Sequence, residues 1–272
     1  MLVAAAVCPS PPLLVPDVAA GAAPELADAR AACLDALGVL AAARPDRLVV
    51  VGPDPAADSA ARSAAGSTAD PSAGPAAGPG ADGSVPAGVL AYPDGAVGGF
   101  RGFGVDLEVR LGPGEPDREA GAVPRRALPA SLAVAAWLLG RADWADAPVE
   151  GIGVPERLDP QRCAAVGREI AGWAPRIALL VMGDGSACRT VKAPGYLDER
   201  AAGFDAAAAR ALGAADAPAL AGLDAELAHE LKASGRSPWQ VLAGAAAGTA
   251  PTGRLLYEDA PYGVGYVVAT WS

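Results

Sequence analysis

The chain has very few of the side chains that bind transition metals or assist nucleophilic catalysis. Its 272 residues contain a single histidine, His229, which lies between acidic residues in a helical pattern and is expected at the surface. A metal site that needs two histidines is therefore impossible within one chain. Cysteine is also scarce, and no CxxC pair is present, so we expect free thiols in a reducing compartment rather than structural zinc or disulfides. The cysteines are at positions 8, 33, 163 and 188.

Basic residues and long apolar runs are scarce as well. The chain carries 21 Lys and Arg against 31 Asp and Glu, which gives a formal net charge of −10. This charge repels phosphate backbones and anionic lipid, so neither nucleic acid nor a membrane is expected as a partner. No apolar run approaches the ~20 residues that cross a bilayer. The first residues lack a basic segment and lead into prolines, which indicates a strand rather than a signal peptide and predicts a cytoplasmic protein.

Short apolar runs are abundant, and they alternate with helical patterns. Hydrophobic residues make up 52% of the chain, largely as alanine. This pattern predicts one α/β domain over residues 1–272, with a central mostly parallel or mixed sheet flanked by helices. Residues 56–87, rich in Ala, Gly, Ser and Pro, are predicted to be a flexible insertion. Strands are predicted at 2–7, 47–51, 89–92, 104–111, 148–154, 177–182 and twice within 253–271.

Helices are predicted from apolar spacing and from residues that favour helix starts. The predicted segments are 23–43, 128–139, 160–173, 198–212, 217–223, 225–233 and 238–247. Asp159, followed by a proline, is expected to cap a helix, as are Asp224 and Ser237. Cys33 falls on the apolar face of the first helix and is expected in the core.

Polar residues follow three of the predicted strands at rigid or glycine-rich turns. They are Ser10, Asp54 and the pair Asp184 and Ser186. If the strands run parallel, their carboxyl ends meet at one edge, where ligands bind in open α/β sheets. The simpler interpretation is that these side chains only cap turns and helices.

Four motifs occur in one order along the chain and resemble a known family. They are the Pro-Ser-Pro-Pro turn within residues 9–16, the strand and Gly-Pro-Asp turn at 49–54, the Gly-Asp-Gly-Ser loop at 183–186, and the hairpin at 258–266. Together they resemble the catalytic B subunit of class III extradiol ring-cleavage dioxygenases, the LigB-like superfamily. The resemblance implies an α/β fold and, in the family, opening of catechol-type rings with O2 at an Fe(II) held by two histidines and a glutamate.

The residues at the corresponding positions depart from the family pattern. Ser10 stands where the resemblance implies the first histidine ligand, and Asp54 stands at the second. Glu258 is the implied glutamate ligand, while Ala187 follows Ser186 where an acid–base histidine is implied. A serine hydroxyl is a poor ligand for Fe(II), so no bound cofactor is expected. An all-oxygen site of Asp54, Asp184 and Glu258 for Mg²⁺ or Ca²⁺ stays open as an alternative.

Two functions follow from these residues. The first is a LigB-like protein that has lost its iron site and keeps a ligand-binding or structural role. The alternative is an enzyme, either an extradiol-type dioxygenase or another catalyst in which Ser10, Asp54, Asp184, Ser186 and Glu258 do the chemistry. Further residues near the predicted edge are expected to contact an aromatic or anionic small molecule, because backbone amides and a basic side chain attract anions. These are Cys8, Gly183, Gly185, Arg189 and Tyr262.

The last predicted strand suggests one further kind of partner. Residues 265–271 are apolar enough to pair or pack against another chain, so a homo-oligomer is expected as a third possibility.

Overall fold

The fold is that of a computed structural model, which describes residues 1–59, 88–114 and 126–272. The predicted insertion at 56–87 lies outside the described residues apart from its first four positions, 56–59. Residues 55–59 are helical. Within the described ranges, no helix combines the length and apolar character that crossing a membrane requires.

Seven of the described strands form one mixed sheet. Its order is β3-β6-β2-β7-β1-β9-β8, and the inner four strands β6, β2, β7 and β1 are parallel to one another. The strands β3, β9 and β8 are antiparallel to their neighbours. The ranges are β1 Leu2–Cys8, β2 Arg47–Pro53, β3 Leu90–Tyr92, β6 Val149–Val154, β7 Ile177–Met182, β8 Gly253–Asp259 and β9 Tyr266–Trp271, with β4 Val97–Gly99 and β5 Glu108–Arg110 forming a separate hairpin.

Helices cover both faces of the sheet. The α-helices are α1 Pro16–Ala19, α2 Ala27–Ala42, α3 Ala130–Arg141, α4 Pro160–Ala171, α5 Ala201–Gly213, α6 Ala217–Ala221, α7 Ala225–Glu230 and α8 Arg236–Ala245. Short 3₁₀ helices occupy Pro12–Leu14, Ala20–Leu26, Arg101–Phe103 and Pro261–Gly263. The predicted α/β fold with a mixed central sheet flanked by helices is confirmed.

The inner strands are buried on both faces, which explains their continuous apolar sequences. In β2, Val49 and Val51 pack in a core with α4, α5 and α8, whereas Leu48 and Val50 face a second core with α2 and α3. Alternate side chains of a strand point to opposite faces, so each apolar strand contributes to both cores. All four cysteines are buried and free, and Cys33 lies in the second core as predicted.

Several predicted boundaries change in the structure. The first helix is split, because a 3₁₀ segment containing Pro24 precedes α2. The predicted strand at 104–111 is reduced to β5, which pairs only with the short β4. Asp159 and Asp224 cap α4 and α7 as expected. The cap prediction for Ser237 is wrong, since α8 begins at Arg236 and the Ser237 hydroxyl donates to the Glu156 carbonyl.

The terminal strand β9 lies inside the sheet. It pairs with β1 on one side and β8 on the other, and all six of its residues are buried. The backbone of this strand is therefore already paired within the chain. An oligomer stays a prediction, but this strand no longer supports it.

Candidate functional site

The carboxyl ends of the four parallel strands lie at one edge of the sheet. The loops after β1, β2, β6 and β7 carry Ser10, Asp54, Glu156 and Asp184, respectively. The predicted gathering of the Ser10, Asp54 and Asp184 loops at this edge is confirmed by the parallel pairing. The contacts described below show which of these side chains share one environment.

A cleft opens at this edge between the loop after β2 and the start of α3. Its volume is about 380 Å³, which lies within the ~300–1,000 Å³ typical of small-molecule sites. Apolar proline and alanine side chains alternate with polar ones along its walls. The lining residues of this edge cleft are Ser10, Pro53, Asp54, Pro55, Ala56, Tyr92, Arg126, Ala127, Pro129, Ala130, Ser131, Glu156 and Ser234.

Asp54 is the most deeply buried charged residue of the edge cleft, with 1% of its surface exposed. Its Oδ2 accepts a hydrogen bond of 2.6 Å from the Tyr92 hydroxyl, and its Oδ1 accepts one of 2.8 Å from the Ala56 amide. Gly153 in β6 leaves room for this carboxylate, since a Cβ there would come within 2.4 Å of Oδ2. No Lys, Arg or His in the part of the chain that the structure describes forms an ion pair with Asp54.

The phenol of Tyr92 is held neutral by its surroundings. Burial raises its pKa, and both the hydrogen bond to Asp54 and the charge of Asp54 raise it further. The nearby Arg126 guanidinium lowers it in part. Tyr92 therefore stays protonated and donates to Asp54 at every physiological pH.

Ser10 and Ser234 place hydroxyls at the edge cleft and are tied together through Asp184. The Ser10 amide donates to Oδ1 of Asp184 at 2.7 Å, and the Asp184 amide donates to Oγ of Ser234 at 3.2 Å. Only 7% of Ser10 is exposed, yet no described residue forms a hydrogen bond with its hydroxyl. Burial raises the pKa of Asp184 to about 7, an effect that the Ser10 amide partly offsets.

Glu156 lies at the rim of the edge cleft, and its backbone is fixed from behind. Its carbonyl accepts hydrogen bonds from the Arg236 guanidinium and from the Ser237 hydroxyl of α8. Partial burial raises the pKa of the Glu156 carboxyl, and the charge of Asp58 adds to this, while His229 and Arg236 lower it. The rim therefore carries one carboxyl group on a rigid backbone.

Ser186 and Arg189 belong to a separate buried cluster with Asp205 of α5. Asp205 accepts from the Ser186 amide and the Ser186 hydroxyl, both at 2.7 Å, and pairs with the Arg189 guanidinium at 3.0 Å. Ser186 is fully buried, and neither it nor Arg189 lines the edge cleft. We call this set the Asp205 cluster.

The glycine loop after β7 uses its amides within the protein. Gly183 donates to the Cys8 carbonyl, Gly185 to the Gly265 carbonyl, and the intervening Asp184 to Ser234. A Cβ on Gly183 would come within 2.4 Å of the backbone of Gly235, so its glycine is required by close packing. These amides are therefore engaged and do not form the anion-binding loop expected from the sequence.

Three other predicted site residues lie away from the edge cleft. Cys8 is buried in the second core, where it lies beside Cys33. Tyr262 is 40% exposed, and its hydroxyl donates to Glu25. Glu258 is exposed on the outer strand β8, four strand spacings from β2, which corresponds to ~19 Å. The structure therefore does not bring Glu258 together with Asp54.

The sequence prediction missed five polar residues of the edge cleft. Glu156 follows a buried strand just as Asp54 does, so the same strand-end signal identifies it. The other four have no such signal, because they reach the cleft through the antiparallel pairing of β3, through the first turn of α3 and through the loops before α3 and α8. They are Tyr92, Ser131, Arg126 and Ser234, respectively.

The side chains at the implied iron positions do not fit an iron site of two histidines and a glutamate. The positions hold Ser10, Asp54 and Glu258, and the last of these lies far from the other two. His229 is exposed on α7. Among the described residues, no three His, Cys, Asp or Glu side chains are grouped so that they could hold a metal ion. The all-oxygen arrangement of Asp54, Asp184 and Glu258 is likewise not formed.

Comparison with known proteins supports the fold but gives no information on function. No model of a protein family matches the chain, and no curated protein is detectably similar to it in sequence. Among solved structures, the chain is similar to the crystal structure of uncharacterized protein JW3007 from Escherichia coli K12, with a TM-score of 0.50 and 12% sequence identity. The similarity covers 99% of this chain and 100% of that chain. At this level of identity, what the two proteins share is the fold.

Proposed function

We propose that the protein binds a small molecule in the edge cleft and that it is a LigB-like relative without iron chemistry. The observation that carries the binding proposal is Asp54, a carboxylate that is almost fully buried and yet has no cationic partner among the described residues. Burying a charge is costly unless it is paired, so such groups are kept where a ligand completes them. The shape of the surrounding cleft supports this role.

The LigB-like part of the proposal is supported by the four motifs and by the α/β fold. Three of the four motifs lead to the same sheet edge, with Ser10, Asp54 and Asp184 in the loops. The loss of iron chemistry is supported by the donor set, because a serine and a distant glutamate replace ligands that Fe(II) requires.

Two measurements on untagged protein test the proposal. Metal analysis, combined with oxygen uptake in the presence of catechols and added Fe(II), should give neither stoichiometric iron nor ring opening. A thermal-shift screen of cationic, anionic, sugar-like and aromatic small molecules should give stabilisation that disappears in Asp54→Asn and persists in the surface control Asp35→Asn. Stoichiometric iron with catechol turnover would refute the loss of iron chemistry, and the absence of any cleft-dependent ligand would refute the binding role.

A second candidate function is acid–base catalysis on the bound molecule. It is favoured by Asp184, which lies just behind the edge cleft. Its Oδ1 accepts from the amide of the lining residue Ser10, and burial raises its pKa to about 7. A carboxyl group with a pKa near the working pH transfers protons well in both directions. Ligands found in the screen are incubated with the protein and analysed for conversion. Conversion that follows the ionisation of Asp184 and is lost in Asp184→Asn supports this candidate, and unchanged conversion in that variant removes it.

A further inference from the structure

The edge cleft is rich in hydrogen-bond acceptors and poor in donors. Each oxygen of a carboxylate accepts about two hydrogen bonds, and each Asp54 oxygen has one partner among the residues that the structure describes. One acceptor position therefore remains on each oxygen. Tyr92 cannot donate a second time, because its only proton is already directed at Asp54.

Ser10 gives an independent indication that a ligand completes this site. It is buried, it lines the edge cleft, and its hydroxyl has no partner among the described residues. The oxygen of this hydroxyl is itself open to the edge cleft rather than sealed from it, so it is available to pair with a bound group. Ser234 lines the same wall, and within the described ranges its oxygen accepts only from the Asp184 amide.

We propose that the edge cleft takes a small molecule bearing a protonated primary amine, which is held by the Asp54 carboxylate and the hydroxyl oxygens of Ser10 and Ser234. The inference rests on the proposed binding function and adds the chemical class of the ligand. An ammonium group has three N–H donors and no acceptor, so it matches a wall of three acceptor groups. It also supplies the ion-pair partner that Asp54 lacks among the described residues.

The charged residues at the rim distinguish a bound ammonium group from a bound anion. Glu156 adds a second carboxyl group, whereas Arg126 is the only basic side chain among the lining residues. Arg126 is exposed and lies near Tyr92. A bound ammonium is attracted by Glu156 and repelled by Arg126, while a bound anion experiences the opposite effects.

The test uses three molecules that share one scaffold and differ in charge: benzylamine, benzyl alcohol and benzoate. Each is titrated into the full-length protein at pH 7.5 and followed by protein-observed NMR, which detects millimolar affinities. Benzylamine should bind at least ten-fold more tightly than benzyl alcohol, since a hydrogen bond to a charged group contributes roughly that much. Benzoate should bind more weakly than either.

Variants of the lining residues show where the amine binds. Asp54→Asn should weaken benzylamine binding ten-fold or more, and Glu156→Gln at the rim should weaken it about two-fold. Arg126→Gln should strengthen it about two-fold, because a repelling charge is removed. Glu169→Gln on the exposed face of α4 serves as the matched control for Glu156→Gln and should change nothing. The Glu156 and Arg126 variants keep the test informative if Asp54→Asn does not fold.

Each contrary outcome has a definite meaning. Tighter binding of benzoate than of benzylamine, or weaker benzylamine binding in Arg126→Gln, overturns the amine proposal while leaving the edge cleft as a binding site. Equal binding of benzylamine and benzyl alcohol also overturns it. Failure of all three molecules to bind overturns the amine proposal, and the broader ligand screen then decides separately whether the edge cleft binds anything.

Discussion

Two buried carboxylates near the same edge of the sheet have very different surroundings. Asp205 is 3% exposed, accepts three hydrogen bonds from Ser186 and Arg189, and is neutralised by that arginine. Asp54 is 1% exposed, accepts two hydrogen bonds from uncharged donors, and faces a cleft. Burial alone therefore does not separate a structural acid from a ligand-binding one.

The difference lies in whether the protein itself pairs the carboxylate with a cation and fills the space around it. Around Asp205 the chain supplies a cation and fills the remaining space, with Gly185 and Gly265 packed directly against the carboxylate. Around Asp54 the described residues form no ion pair with the carboxylate, and its surroundings open into the edge cleft. We infer that the Asp205 cluster fixes the loops, whereas Asp54 is available for binding.

The largest effect is expected when the structural carboxylate is changed. Asp205→Asn leaves Arg189 unpaired and turns an amide N–H toward existing donors, so the free energy of unfolding should fall by ~3 kcal/mol. Urea unfolding at pH 7.5 measures the change. Asp35→Asn on the exposed face of α2 is the control and should stay within ~0.5 kcal/mol of the wild type. If Asp205→Asn lost less unfolding free energy than Asp54→Asn, then Asp54 rather than Asp205 would be the structural carboxylate.

The next effect concerns Asp184, which forms hydrogen bonds with Ser10 and Ser234 of the edge cleft. Its folded-state pKa of about 7 lies above the ordinary value of 3.8, so the folded state binds the proton more strongly than the unfolded state. The resulting stability is fully present below about pH 4 and is lost as the pH rises to about 7.

Asp184→Asn removes this titration while keeping an acceptor for the Ser10 amide. At pH 8 the variant should be more stable than the wild type by ~2 kcal/mol, about half of the full linkage value because the side chain is partly exposed. At pH 4 the two proteins should differ little. Urea midpoints at both pH values measure the effect. A difference that does not depend on pH would show that Asp184 titrates normally.

Smaller effects are expected when one hydroxyl is removed from the Asp205 cluster and one from the edge cleft. Ser186→Ala leaves a buried, charged Asp205 without one of its donors and should cost ~1.5 kcal/mol. Tyr92→Phe removes a comparable donor from Asp54, but water in the edge cleft replaces it, so the cost should be ~0.5 kcal/mol. Thermal unfolding of both variants at pH 7.5 measures the two losses of stability, which are then compared. Equal costs would mean that Asp54 is as sealed from solvent as Asp205.

The parts of the site that lie on parallel strands could be predicted from the sequence. Continuous apolar runs at 47–51 and 177–182 indicate strands buried on both faces, and such strands end at a common edge. This pattern predicts Ser10, Asp54 and Asp184 at that edge. The prediction depends on local patterns and on the shared direction of parallel strands.

The parts of the site that depend on long-range pairing could not be predicted. Nothing local shows that β9 inserts between β1 and β8, and this insertion moves Glu258 away from Asp54. Nor does the sequence show that β3 pairs with β6, which brings the Tyr92 hydroxyl to Asp54. Strand order within a sheet depends on contacts between distant segments rather than on patterns within each strand.

The smallest effect is expected at Glu258, the residue that the family resemblance places in the metal site. It is exposed on an edge strand, and its side chain forms no hydrogen bond among the described residues, so Glu258→Gln should change the free energy of unfolding by less than ~0.5 kcal/mol. It should also leave benzylamine binding unchanged, whereas Glu156→Gln weakens it. A ten-fold loss of binding in Glu258→Gln would mean that the last two strands fold back toward Asp54 in solution. The acid at the rim of the edge cleft would then be the one implied by the resemblance rather than the one that follows β6.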